Sequence, residues 1–292
     1  MFRDYTRQIY GCLLGSGESK PPSFTSVAFV HSGYYVQRDG WNAKSLYLWL
    51  MGSRRGRGHF KENINGVAVT AYGRNLITDN GPPPYTPEFL EASQRDAFKE
   101  IREYFGEESS LTSNTILVDM KSQRRREVPV PPRAAYDAPI DSRWLSSETY
   151  DLAESRYEDG YGRPTPIKVR HYRQAIFLRK HGFWLLTDRL VGDGQPHEYQ
   201  QQWHFPPPHT QWNISSPGFL DEQVVTDARS GCIRTVDPGA PNIVLRHFSP
   251  TPIEYRRYYG HTKPWLGWYA VAIGGKRIPS VEGAFPKNGH LL

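Results

Sequence analysis

The sequence predicts an all-β domain: a large two-sheet antiparallel β-sandwich with one short helix. Three observations predict it. Short runs rich in β-branched and aromatic residues recur at near-regular spacing. Gly, Asn, Asp and Pro separate them, as they do where strands are joined by turns. One stretch, Glu88 to Phe105, carries helical spacing.

The elements follow in order. Residues 1–25 are polar and broken by Gly and Pro, and read as a helix remnant and linker entering the domain at Pro21-Pro22. Residues 26–292 form the main domain. Val27–Val30, Gly33–Arg38 and Ser45–Leu50 are strands, with Asp39-Gly40-Trp41-Asn42 as a turn. Asn65–Tyr72 and Leu76–Thr78 are two more, joined at Gly73-Arg74-Asn75. In the helical stretch Phe89, Leu90, Ala97, Phe98, Ile101 and Phe105 fall near one face; Thr86 is its cap and Pro87 its first residue. Asn114–Val118 is a strand. From Arg124-Arg125-Arg126 to about Pro166 the chain reads as a polar, Pro-rich excursion. A meander follows: Val169–Leu178 and Phe183–Leu190 around Lys180-His181-Gly182, then Glu198–Phe205, Gln223–Thr226, Cys232–Val236, Ile243–Phe248 and Trp265–Ile273. No internal repeat is present.

Composition limits the function classes. The chain has 292 residues, enough for one large all-β domain. Hydrophobic residues make up 38%, and aromatics a high 13%, so rings carry much of the core or line a cleft. The net charge is +6, which favours an anionic partner. Zinc-finger spacing, an RNP-like strand and a basic heptad helix are all missing, so nucleic acid is not the expected partner. No run reaches transmembrane length, so neither is a membrane. Cys12 and Cys232 make neither a disulfide framework nor a metal cluster. Met1 to Gln8 does not read as a signal peptide, and the compartment stays open.

The densest candidate site is Ser53–Asn63. It carries Arg54, Arg55, Arg57, His59 and Lys61 between two strands. Arginine offers a planar fork that a carboxylate or sulfate accepts in bidentate fashion. His59 changes charge near neutral pH, and Gly58 beside it permits close approach. Asp79, next to Asn80-Gly81, reads as a metal ligand or as a turn-former. Trp203 and His204 fall on opposite faces of one strand, and His204, facing in, reads first as a core histidine.

The stretch from Gly33 to Asp119 resembles the C-terminal domain of heparinase II/III-like proteins. The resemblance rests on Ser32–Trp41, the Gly58-His59 loop, Ala71–Gly81 and Ser113–Asp119, with Leu185–Leu190, Trp203-His204-Phe205 and Gly267-Trp268-Tyr269 as returning strands. It covers roughly residues 26 to 285 and implies a supersandwich-like domain of a polysaccharide lyase. Such lyases cut uronic-acid-containing chains, glycosaminoglycan or alginate, by β-elimination: the uronate carboxylate is neutralised, a base takes the C5 proton, and the C4–O4 bond breaks. The resemblance further implies a helical toroid that supplies a neutralising Asn or His and a Tyr acid/base. Residues 1–25 resemble the tail of that toroid, so the site is expected to be incomplete without it.

The resemblance assigns His59 as acid/base or positioning group. It sets Arg57, Arg74, Lys61, Trp203 and His204 as substrate-binding candidates. Relatives hold a structural zinc at positions that are here Lys61, Asp79 and Ser113, of which only Asp79 is a ligand type. No metal and no cofactor are therefore expected, and Lys61 is expected to replace the metal by pairing with Asp79. The expected partners are an acidic polysaccharide and a separate helical toroid domain or subunit. Family relatives are periplasmic or secreted. The alternative function is a non-catalytic sandwich that binds carbohydrate or another subunit.

Overall fold

The protein is described here by a computed structural model that covers residues 21–53, 60–79, 85–89, 92–106, 108–206, 224–268 and 289–291. Of the expected N-terminal remnant, residues 1–20 lie outside these residues.

The first sheet is an antiparallel meander in chain order: β1 (Val27–Phe29), β2 (Tyr34–Arg38), β3 (Tyr47–Met51), β4 (Val67–Ala71) and β5 (Arg74–Ile77). Tyr35 pairs with Leu50, and Leu50 with Val67. Alternate side chains face one way, so Tyr35, Leu48, Leu50, Val67 and Val69 point into a common core. The β1–β2 turn needs Gly33, whose φ is +74°; a Cβ there would meet the Gly52 carbonyl oxygen at 2.5 Å.

The second sheet has the order β10-β9-β8-β7, where β6 is Ile116–Val118, β7 Trp144–Ser146, β8 Tyr150–Tyr157, β9 Arg170–Leu178 and β10 Phe183–Val191. Its inner face adds Ala153, Ala175 and Phe177 to the core of the first sheet. Polar groups also cross between the sheets. Gln37 Nε2 donates to the Ala175 carbonyl at 2.9 Å, and Ser26 Oγ donates to Asp151 Oδ2 at 2.7 Å.

β7 and β8 fall within the stretch expected to be an excursion. β8 escapes a hydrophobic pattern because its inward positions include Asp151 and Ser155. Asp151 is buried and accepts hydrogen bonds from Ser26, Ser146 and Arg179. The helical stretch also shortens. Pro87–Phe89 and Ala92–Ala97 are 3-10 turns, and only α1 (Phe98–Phe105) is α-helix. Ile101, Tyr104 and Phe105 are its buried residues, packed with Leu117, Trp265, Leu266 and Trp268. Isolated helical turns are marginal in water, so α-helix forms where packing supports it.

Four smaller sheets complete the fold among the described residues. β11 (Tyr199–Gln201) pairs with β6. β13 (Val224–Asp227), β14 (Cys232–Thr235) and β15 (Val244–Arg246) form a three-stranded sheet. β12 (Trp203–Phe205) and β16 (Arg257–Tyr258) flank β19 (Gly289–Leu291), and β17 (His261–Thr262) pairs with β18 (Trp265–Leu266). The Thr78 amide donates to the His204 carbonyl at 3.1 Å, which sets the end of β5 beside β12. That junction, with the start of β6, positions the candidate site.

Candidate functional site

His59 and Arg57, the leading residues of the sequence reading, lie outside the described residues. The exit of their loop, Phe60–Asn65, is described, and it is held on three levels. Nearest His59, the Arg126 guanidinium donates to the Phe60 carbonyl at 3.0 Å. Next, the buried Glu62 carboxylate accepts the backbone N–H groups of Arg125 and Arg126, each at 2.7 Å, and Arg163 Nη2 at 2.7 Å. Last, the Gln123 side chain pairs with the Ile64 backbone in both directions, at 2.8 and 2.7 Å. Burial raises the Glu62 carboxyl above its usual range, against the two amides and Arg163, which lower it.

Lys61 and Ser113 both act on Asp79. Lys61 Nζ donates to Thr112 Oγ1 at 3.1 Å. Asp79 accepts from Asn63 Nδ2 at 2.9 Å and from the Asn114 backbone N–H at 3.1 Å. Burial pulls the Lys61 ammonium below its usual range, and the Asp79 charge partly restores it. Burial likewise pushes the Asp79 carboxyl up, while Lys61, Asn63, Asn114 and Ser113 hold it down. The pair is therefore electrostatically coupled in a poorly hydrated place, where each charge depends on the other.

This donor set does not fit a zinc ion. It offers one carboxylate, already hydrogen-bonded, and an ammonium in place of an imidazole; zinc takes about four N, S or O ligands. Among the described residues no group of three or more His, Cys, Asp or Glu is arranged to hold a metal.

Three expected substrate-binding residues have other surroundings. Arg74 forms an ion pair with Asp237 and donates to the Pro241 carbonyl at 2.7 Å, with its side chain 10% exposed. It ties the β4–β5 hairpin to the β14–β15 connection rather than facing solvent. His204 is buried, with Nε2 3.0 Å from the Leu111 carbonyl and its amide donating to Asn114 Oδ1 at 2.7 Å. Burial depresses its pKa to about 3, so the ring is neutral at ordinary pH. Trp203 is buried too; its indole N–H donates to Gln201 Oε1 and His247 Nε2, each at 3.2 Å. These surroundings share one cause: each polar group found a partner inside the domain, which burial demands.

Sequence reading missed Glu62, Asn114 and the Arg124–Arg126 turn. Asn114 binds four neighbours: its side chain meets the Val67 carbonyl, Asp79 and His204, its amide also meets Asp79, and its carbonyl accepts Arg173. The available signal was its place in the Ser113–Asp119 motif. Glu62 had no such signal, because its partners lie far along the chain.

The architecture defines a class first: a two-sheet antiparallel β domain of the kind found in heparinase structures. The heparan sulfate lyase HepC from Pedobacter heparinus superposes with a TM-score of 0.66 at 17% identity, over 99% of this chain and 37% of that one. A heparinase III structure gives 0.61 at 16% identity, over 94% and 34%. The heparinase III BT4657 gene product gives 0.65 at 15% identity, over 98% and 36%. This chain thus spans little more than a third of these proteins. No curated protein matches its sequence. The family described as Heparinase II/III-like, C-terminal matches residues 21–277, and the chain belongs to that family.

Proposed function

We propose that this chain is the sandwich part of a polysaccharide lyase that cleaves uronic-acid-containing chains by β-elimination. The observation that carries the reading is the family match over residues 21–277. The structural relatives named as heparan sulfate lyase and heparinase III support an acidic polysaccharide as substrate class.

In this reading His59 acts on the proton at C5 or positions the sugar, and Arg57 binds a substrate carboxylate. Cationic or hydrogen-bonding groups at the carboxylate matter because charge builds there as the enolate forms. A base poised near working pH is the second need, and histidine meets it. Lys61 acts from behind, through Asp79, by fixing the loop exit two residues from His59. The remaining groups, a neutraliser and a Tyr acid/base, come from a helical partner domain or subunit, and the chain alone is inactive or nearly so.

A second reading is a non-catalytic sandwich that binds carbohydrate or another subunit. The Lys61–Asp79 pair at the family's metal position favours it. Absorbance of unsaturated uronate, measured on heparin, heparan sulfate, chondroitin, hyaluronan and alginate, separates the two. The chain is assayed alone and with a helical toroid domain from a relative. A rise that His59→Ala abolishes supports the lyase reading. No rise under either condition, with retained polysaccharide binding, leaves the binding module.

A further inference from the structure

The turn at Arg124–Arg126 has no role in the reading above, yet the fold sets it against Phe60. Arg125–Glu127 is a 3-10 turn, preceded by Arg124. Its geometry is imposed from below. Glu62 receives two of its amides, and the Arg124 amide donates to the buried Tyr157 hydroxyl at 2.7 Å. All three arginines of the turn are partly exposed. Arg126 reaches the Phe60 carbonyl, and the Arg125 guanidinium lies 5.6 Å from the centre of the Phe60 ring. Phe60 is the residue next to His59.

The charges around the turn leave a cationic surplus. Glu62 is enclosed and shared with Arg163, and Glu127 is taken by Arg163 Nε at 3.0 Å. Asp159 is the other neighbouring carboxylate, acting on both Arg124 and Arg125. Arg124 is the least committed of the three. Its side chain makes no hydrogen bond among the described residues, and its Nε is buried without a partner. The outer nitrogens of its guanidinium are neither enclosed nor hydrogen-bonded among the described residues, so they are the atoms an anion meets.

We propose that the Arg124–Arg126 turn is an anion-recognition element beside Phe60, with Arg124 as the group that binds a sulfate or carboxylate of the acidic polysaccharide. Arginine suits either group because its fork matches two oxygens at once. The proposal rests on the polysaccharide reading, which it deepens by naming a contact residue. Arg126 and Arg125 cover the loop exit at Phe60.

The test is retention of the full chain on immobilised heparin, with dissociation constants for heparin and for alginate oligosaccharides. The variants are Arg124→Ala, Arg124→Lys and Arg189→Ala. Arg189 is an exposed control on the second sheet, stacked on Tyr172 at 4.3 Å. The Arg124 amide bond to Tyr157 is a backbone contact, so Arg124→Ala retains it, and a thermal melt checks folding. Arg124→Ala is expected to elute at lower salt and bind about tenfold more weakly, the size of one charge-assisted bond. Arg124→Lys recovers part of that, as a point charge without the fork, and Arg189→Ala matches wild type. A defect confined to heparin identifies sulfate as the bound group; a defect on both polymers identifies carboxylate. Equal binding by wild type and Arg124→Ala overturns this inference alone. Failure of the wild type to bind either polymer overturns the polysaccharide reading and the inference with it.

Discussion

Arg173 grips Asp188 across β9 and β10 with two parallel bonds, Nε to Oδ1 at 2.7 Å and Nη2 to Oδ2 at 2.9 Å. Arg173 is fully buried. Its third nitrogen donates to the Asn65 and Asn114 carbonyls at 2.6 and 2.7 Å, so it also carries the ends of the site segments. Burial alone would raise the Asp188 carboxyl; Arg173 and His171 together hold it well below the usual range.

Asp188→Asn leaves a buried guanidinium without its counter-charge. It is expected to cost about 3–5 kcal/mol, as does breaking other buried pairs from one side. Urea denaturation checks this, and a loss under about 1 kcal/mol refutes the structural weight given to the pair. Asp188 is depressed in the folded state, so its contribution is present above the unfolded carboxylate value. It fades only as pH falls through the lower folded value.

Glu62→Ala strands the Arg125 and Arg126 amides and one nitrogen of Arg163. Each unmade bond to a buried group costs about 1–3 kcal/mol. The loop exit loses its middle clamp, so trypsin is expected to cut faster between Arg54 and Lys61 than in wild type. Unchanged cleavage kinetics in a folded variant would show that Glu62 does not hold this exit.

Lys61 and Asp79 are expected to be coupled in a double-mutant cycle. Lys61→Met alone leaves Asp79 without its cation, and Asp79→Asn alone leaves Lys61 without its anion. The double variant is expected to lose less than the sum, by about 0.5–3 kcal/mol. Additivity would mean that the two charges act independently and that no charge link replaces the metal position.

His197 stands between Asp119 and Asp193, with Nδ1 2.7 Å from one carboxylate and Nε2 3.0 Å from the other. Hydrogen bonds to Asp119 and then Asp193 raise its pKa above the ordinary histidine value. A raised histidine stabilises the fold fully below its unfolded pKa. That stabilisation is lost as pH rises through the folded value. NMR titration of the His197 ring is expected to give a midpoint above about 6.5. In His197→Gln the decline in melting temperature over that window should disappear. An ordinary or lowered midpoint would contradict the assignment.

The strands of the first sheet were legible because their inward residues are apolar and alternate, as in Tyr35, Leu48 and Leu50. The β9–β10 hairpin was legible for the same reason, with Gly182 marking its turn. β8 was not, since Asp151 and Ser155 occupy inward positions that a hydrophobic pattern marks as outward. Partners remote in sequence, such as Arg179 and Ser26, make those positions tolerable. The helical face over Glu88–Phe105 was read from spacing alone, and packing kept only its last two turns as α-helix.

At the site, the sequence by itself placed the chain in its family, whose resemblance set Lys61 and Asp79 at matching positions. Tertiary structure alone decided which cations are occupied. Arg74 found Asp237, Arg163 found Glu62 and Glu127, and Arg126 found the Phe60 carbonyl. The physical reason is that a charged side chain's role depends on which partner reaches it once water is excluded. Those partners lie tens of residues or more away along the chain, beyond any local pattern.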